Sequence, residues 1–201
     1  MPESLKLYLT LLLTMLFISC SSDSQENEYA SDDDENRAST RSSSGGGLTA
    51  IQLTKIDLYA LDVPVFAVTD STQQVDVEDE HYYSGNFYYP VNGIYATSGE
   101  TFLLLLTTVN ESSDAPVSHN WVLMDGQVSE DELGNHLHDT ESVSGFFDDY
   151  VDSIIARTVR VPSGHTDEIN FVAPEEKGEY LFFCTTPGHF AKGMKGYLVV
   201  E

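Results

Sequence analysis

The sequence predicts an all-β domain, a sandwich or barrel of short strands crossed by one short helix. Three observations predict it. From Leu48 onward, short runs rich in Val, Ile, Phe, Tyr and Thr recur, the residue types that fit a pleated, half-buried surface. Turn-forming residues separate these runs at short intervals, as in stacked sheets. A single stretch repeats its apolar residues at helical spacing instead.

The elements follow in order. Ile51-Gln52-Leu53 and Ile56-Asp57-Leu58 alternate apolar and polar side chains, so residues 48–84 read as an N-terminal extension with a possible strand, acidic from Gln73 to Glu80. Gly85 to Pro90 carries Phe87, Tyr88 and Tyr89. A turn at Gly99-Glu100 precedes a nearly continuous apolar run, Thr101 to Val109. Further strands are expected at His119–Met124, Arg157–Val161, Glu168–Val172, Glu179–Cys184 and Gly196–Val200. Phe147, Tyr150, Val151, Ile154 and Ile155 share one helical face, which places the helix at Phe146–Arg157. The polar stretch Asp125–Gly145 before it reads as a loop. The main domain is expected over 85–201.

The N-terminus reads differently. Lys6 precedes the uncharged, mostly apolar run Leu7 to Ser19, too short to span a bilayer as a mature helix and suited to an export signal over residues 1–19. It ends at Phe17-Ile18-Ser19-Cys20, which is similar to a bacterial lipobox, so Cys20 is the expected site of lipidation. Residues 20–47 then form an acidic, Ser- and Gly-rich tether with too few apolar groups to offset the cost of ordering. The expected location is the cell envelope, lipid-anchored to a bacterial membrane and facing the periplasm or the cell surface. The formal net charge of -24 repels nucleic acid and suits a basic partner.

Two cysteines occur, Cys20 and Cys184. If Cys20 carries lipid, Cys184 has no disulfide partner, and an unpaired thiol in an exported protein reads as a ligand or nucleophile. Its surroundings favour a ligand. The chain runs Cys184-Thr185-Thr186-Pro187-Gly188-His189-Phe190-Ala191-Lys192-Gly193-Met194-Lys195-Gly196, placing thiol, imidazole and thioether on one loop between two strands. Copper takes thiolate and imidazoles in a trigonal plane with a long thioether contact along the axis. Pro187-Gly188 supplies a turn that swings His189 back towards Cys184. One loop cannot surround a metal, and Ser118-His119-Asn120-Trp121-Val122-Leu123 offers His119 as the remaining ligand. Asn120 is placed to tie that strand to the ligand loop. Tyr180 and Phe182 share the face of Cys184 by strand alternation and would keep the site dry.

The string His119-Asn120-Trp121-Val122-Leu123, with Cys184-Thr185-x-Pro187-Gly188-His189 and Met194-Lys195-Gly196, resembles the azurin branch of the cupredoxins. The spacing, four residues between Cys184 and His189 and four between His189 and Met194, is similar to that of the auracyanins. The resemblance covers roughly residues 85–201. It implies a Greek-key β-sandwich with a short helical flap, and one type 1 copper per chain held by His119, Cys184, His189 and Met194. Two positions depart from azurins: Ser118 replaces the Gly before the first histidine, and Thr186 replaces an aromatic before the proline.

This reading implies single-electron transfer rather than catalysis, since four protein ligands leave no open position for substrate. His189 is the expected exit, collared by Pro187 and Phe190, with Lys192 and Lys195 making that face less acidic. Transient redox proteins such as c-type cytochromes are the expected partners, and the chain is expected to be a monomer. Two alternatives stand beside it. An accessory redox domain of a copper enzyme needs further histidine-rich sites, and His136-Leu137-His138, on a polar loop, reads as solvated. A dinuclear copper centre would need two cysteines on the loop. A copper carrier or storage protein would be richer in Met or His; beyond the signal only Met124 and Met194 occur.

Overall fold

A computed structural model describes residues 52–111, 117–138 and 140–201, with the side chains of 140–144 outside that description. The expected export signal, Cys20 and the tether of residues 20–47 lie outside the described residues. The elements in order are β1 (Leu53–Leu61), β2 (Val65–Val68), β3 (Val75–Val77), β4 (His81–Tyr83), β5 (Asn86–Ala96), β6 (Thr101–Val109), β7 (Ser118–His119), β8 (Val122–Met124), α1 (Glu130–His136), α2 (Thr140–Asp149), a 3-10 turn (Val151–Ser153), β9 (Ile154–Arg157), β10 (Val161–Pro162), β11 (Thr166–Val172), β12 (Gly178–Phe183) and β13 (Lys195–Val200). The all-β expectation holds.

The long hydrogen-bonded path runs β11-β6-β1-β2-β5-β13-β12-β8-β9, with β3 and β4 added to β5 and a separate β7-β10 pair. Residues 53–83, read from sequence as an extension with a possible strand, supply four strands. β1 pairs in parallel with β6 along its whole length, from Leu53–Thr101 to Leu61–Val109. Ile56, Leu58 and Ala60 thereby meet Phe102, Leu104 and Leu106 in the core. β6 alternates buried and half-exposed residues despite its apolar sequence, because its second face carries Leu103 and Leu105 outward. β5 pairs with four strands and links the two halves of the path. Its Tyr89 and Pro90 pair with β2, and Gly93 to Ala96 pair in parallel with β13.

The helical segment differs from expectation. α2 ends at Asp149, and the Ile154–Arg157 end of the expected helix is instead strand β9, antiparallel to β8. β-branched Ile154 and Ile155 lose rotamer freedom in a helix and fit a pleated edge. The expected loop contains α1, whose N-terminal Ser129 accepts a hydrogen bond from the Glu132 N–H at 3.2 Å. The signal was a Ser followed by an acidic first turn, Glu130-Asp131-Glu132, which favours the positive end of a helix. α1 and α2 cover the outer face of β12 and β8, where Leu133, Leu137 and Phe146 pack on Val122, Leu181 and Phe183. The opposite face of the same strands carries Leu123, Tyr180 and Phe182 into the main core.

Candidate metal centre

The site lies where β7 meets the loop from β12 to β13. Pairing with Val161 of β10 fixes His119. Cys184 follows β12 directly, and its N–H donates to the Met194 carbonyl at 3.1 Å, closing the loop at its base. Inside the loop, the His189 N–H donates to the Thr186 carbonyl at 3.0 Å and the Met194 N–H to the His189 carbonyl at 3.0 Å. Gly188 takes a positive φ of 76°, where a side chain would be strained, and this turn brings His189 back over Cys184.

The outcome is a compact donor set. One ligand atom from each of His119, Cys184 and His189 lies within 4.8 Å of the others. Both histidines present Nδ1 to Cys184 Sγ at 3.8 Å. Met194 is fully buried in the same core cluster as Cys184, Trp121 and Phe182. His119 and Cys184 are buried as well, while His189 is partly exposed.

Burial sets the electrostatics. It holds His119 down to about 3, with the His189 and Arg160 charges acting in the same direction. His189 is lowered too, chiefly by burial and then by Lys192 and Arg160. Burial raises the Cys184 thiol, against hydrogen bonds and the Arg160 charge that favour the thiolate. Both imidazoles are thus kept neutral, with lone pairs available for a metal, while the thiol must give up a proton to bind one.

Neighbouring groups hold this arrangement. Asn120 Oδ1 accepts from the Thr185 N–H at 2.9 Å, the Thr185 hydroxyl at 3.1 Å and the Cys184 thiol at 3.6 Å, which is the tie between strand and loop expected from sequence. The Thr186 N–H approaches Cys184 Sγ at 3.4 Å, and the Thr186 hydroxyl donates to the Ser118 carbonyl at 2.7 Å.

The donors fit a metal ion. Bonds of about 2.0 Å to imidazole and about 2.3 Å to thiolate, as for a borderline ion such as zinc, sum to about 4.3 Å. Donors 3.8 Å apart can therefore share one ion across a wide angle. One thiolate, two imidazoles and a thioether are the soft set that suits copper. Residues 79–201 match the model of the family described as copper binding proteins, plastocyanin/azurin family. The chain belongs to that family.

Sequence relatives include auracyanins and azurins. This cupredoxin is 32% identical over 92 residues to auracyanin-A of Chloroflexus aurantiacus, an alignment covering 45% of this chain and 56% of the relative. It is 38% identical over 91 residues to azurin of Pseudomonas aeruginosa, covering 42% and 57%. The chain thus spans little more than half the length of these two relatives. Among solved structures, auracyanin B aligns at 21% identity with a TM-score of 0.49, covering 73% of this chain and 88% of that one. Auracyanin A, a blue copper protein from Chloroflexus aurantiacus, aligns at 22% and 0.48, covering 75% and 100%.

Copper is the metal of this cupredoxin, and His119, Cys184, His189 and Met194 lie close together as a type 1 site. Several neighbours behave otherwise than expected. Phe190 is buried rather than part of a surface collar; its ring packs edge-on against Phe183 at 5.3 Å, below α1. Lys195 is paired with Glu130 of α1 and lies 4.8 Å from the centre of the Phe190 ring, which leaves Lys192 as the exposed amine of the loop. His136 is not solvated on a loop but sits in the last turn of α1, edge-on to Tyr150 at 5.3 Å and 3.7 Å from Asp149. His138 Nδ1 bonds the Asn135 carbonyl at 2.7 Å. Sequence reasoning passed over Arg160, whose guanidinium donates to the Thr186 hydroxyl at 3.2 Å and the Thr185 hydroxyl at 3.3 Å. Arg160 precedes Val161, the residue opposite His119, and its approach to the ligand loop was not visible without the β7-β10 pairing.

Proposed function

We propose that this cupredoxin is a single-electron carrier of the cell envelope. The observation that supports it is the convergence of two neutral imidazoles on one buried thiol, beside a buried methionine, in a site closed on its inner side by the packed core. Copper held there supplies a one-electron couple. The chain supplies the rest. Strand β7 and the loop fix the donors, so they rearrange little when the charge of the site changes. Trp121, Phe182 and Leu123 exclude water from below. The Thr186 N–H, directed at Sγ, favours the anionic sulfur.

His189 is the edge through which an electron leaves, because it is the partly exposed member of the donor set. Redox proteins such as c-type cytochromes dock there transiently, with a small interface. Lipid on Cys20 tethers the monomer to a bacterial membrane. The Cu(II)-loaded protein is expected to be intensely blue from thiolate-to-copper charge transfer. Cys184→Ser should abolish the band and His136→Gln should leave it; a colourless copper-loaded wild type, or the reverse pattern, would overturn this reading.

A further inference from the structure

We propose that Arg160 is a positioning and tuning residue of the copper site, bridging the Thr185 and Thr186 hydroxyls so that its fixed positive charge bears on the ligands and raises the reduction potential. The inference rests on the blue-copper reading above. Its geometry is specific. The two nitrogens Nη1 and Nη2 donate to two successive hydroxyls of the ligand loop, at 3.2 Å and 3.3 Å. Each hydroxyl in turn donates across to the His119 strand: Thr185 to Asn120 Oδ1 at 3.1 Å, and Thr186 to the Ser118 carbonyl at 2.7 Å. A planar guanidinium matches two neighbouring acceptors in a way that a point-charge ammonium does not.

Arg160 therefore stands at the outer end of two short hydrogen-bond chains. One ends on the Ser118 carbonyl, the residue before His119, and the other on Asn120, the residue after it. No carboxylate among the described residues pairs with Arg160 to cancel its charge. The two hydroxyls it holds belong to the residues directly after Cys184, and the Thr186 N–H approaches Sγ at 3.4 Å, so the field of this charge falls on the donor set. The same field opposes the more positive oxidation state of an ion bound there. Adding one electron lowers the charge that Arg160 faces, so the reduced form is favoured.

The test is a spectroelectrochemical titration of the copper-loaded wild type, Arg160→Lys, Arg160→Gln and Arg160→Glu, following the blue band. At a fixed electrode potential, Arg160→Gln should lower the Cu(I)/Cu(II) ratio about threefold, as for an exposed charge, which is about 28 mV at about 59 mV per tenfold change. Arg160→Glu should lower it further and Arg160→Lys should stay near wild type. The difference between Gln and wild type should shrink at high salt, since the charge is exposed. An unchanged potential across the blue variants would overturn the proposal. Equal shifts for Lys, Gln and Glu would also overturn it, by showing that the bridge matters and the charge does not. A wild type that binds copper without a blue band would instead refute the electron-carrier reading.

Discussion

His119 is fully buried, and its Nε2 has no hydrogen-bond partner among the described residues. This has a consequence for the metal-free protein. The ordinary value of 6.5 falls to about 3 in the fold. Between those values the unfolded chain takes up a proton at His119 that the folded domain refuses, so stability is lost as the pH falls through this window. By pH 5, above most carboxylate titration, the loss from His119 is about 2 kcal/mol. Urea midpoints of the metal-free domain should fall between pH 7 and 5; a flat profile would show that His119 is not kept neutral. At this scale the sequence was informative for the donors and for Asn120, since both depend on residue type and spacing. It was silent on Arg160, which is exposed, and whose role comes from hydroxyls 25 and 26 positions away in the chain.

The element that makes the site is the loop from β12 to β13, and its stiffness begins in the strands. Gly196 of β13 is held against β5 and β12: a Cβ there would lie 2.5 Å from the Asn92 carbonyl oxygen and 2.5 Å from Phe182 Cζ. The Asn92 contact is backbone and cannot be relieved by a rotamer change. Gly196→Ala should therefore cost about 1–3 kcal/mol in chemical denaturation. It should also disturb the blue band, because Phe182 lies in the cluster beneath Cys184. A fully native denaturation midpoint would show that the strands can separate there at no cost. The helical layer was partly legible. Helical spacing found a helix and placed Phe147 on its apolar face, but it did not include Phe146, which is the fully buried residue, and the same period continued through Ile154 and Ile155, which belong to β9. Periodicity alone cannot separate these states when an edge strand is open to pair with β-branched residues.

On the scale of the whole molecule, the family match begins at residue 79, whereas the sheet begins at Leu53. β1 and β2 sit between β6 and β5, and Ile56, Leu58, Phe66 and Val68 are core residues. A chain starting at Asp79 should consequently lose cooperative folding and the blue band together, whereas one starting at Leu48 should keep both. Circular dichroism and copper titration distinguish them. A folded, blue chain from Asp79 would show that β1 and β2 only decorate a self-sufficient sheet.

Residue types and spacing by themselves determined the all-β class, the copper-binding chemistry and the tie from Asn120 to the loop, because each is a local property of strands, turns and donor atoms. Tertiary structure alone decided the rest. Parallel pairing made residues 53–61 part of the core, since a parallel partner leaves no local turn signal. Packing under α1 turned Phe190 inward and gave Lys195 to Glu130. The β7-β10 pairing carried Arg160 to the ligand loop. Each of these depends on which distant segments become neighbours, and that is settled by how the whole chain buries its apolar surface.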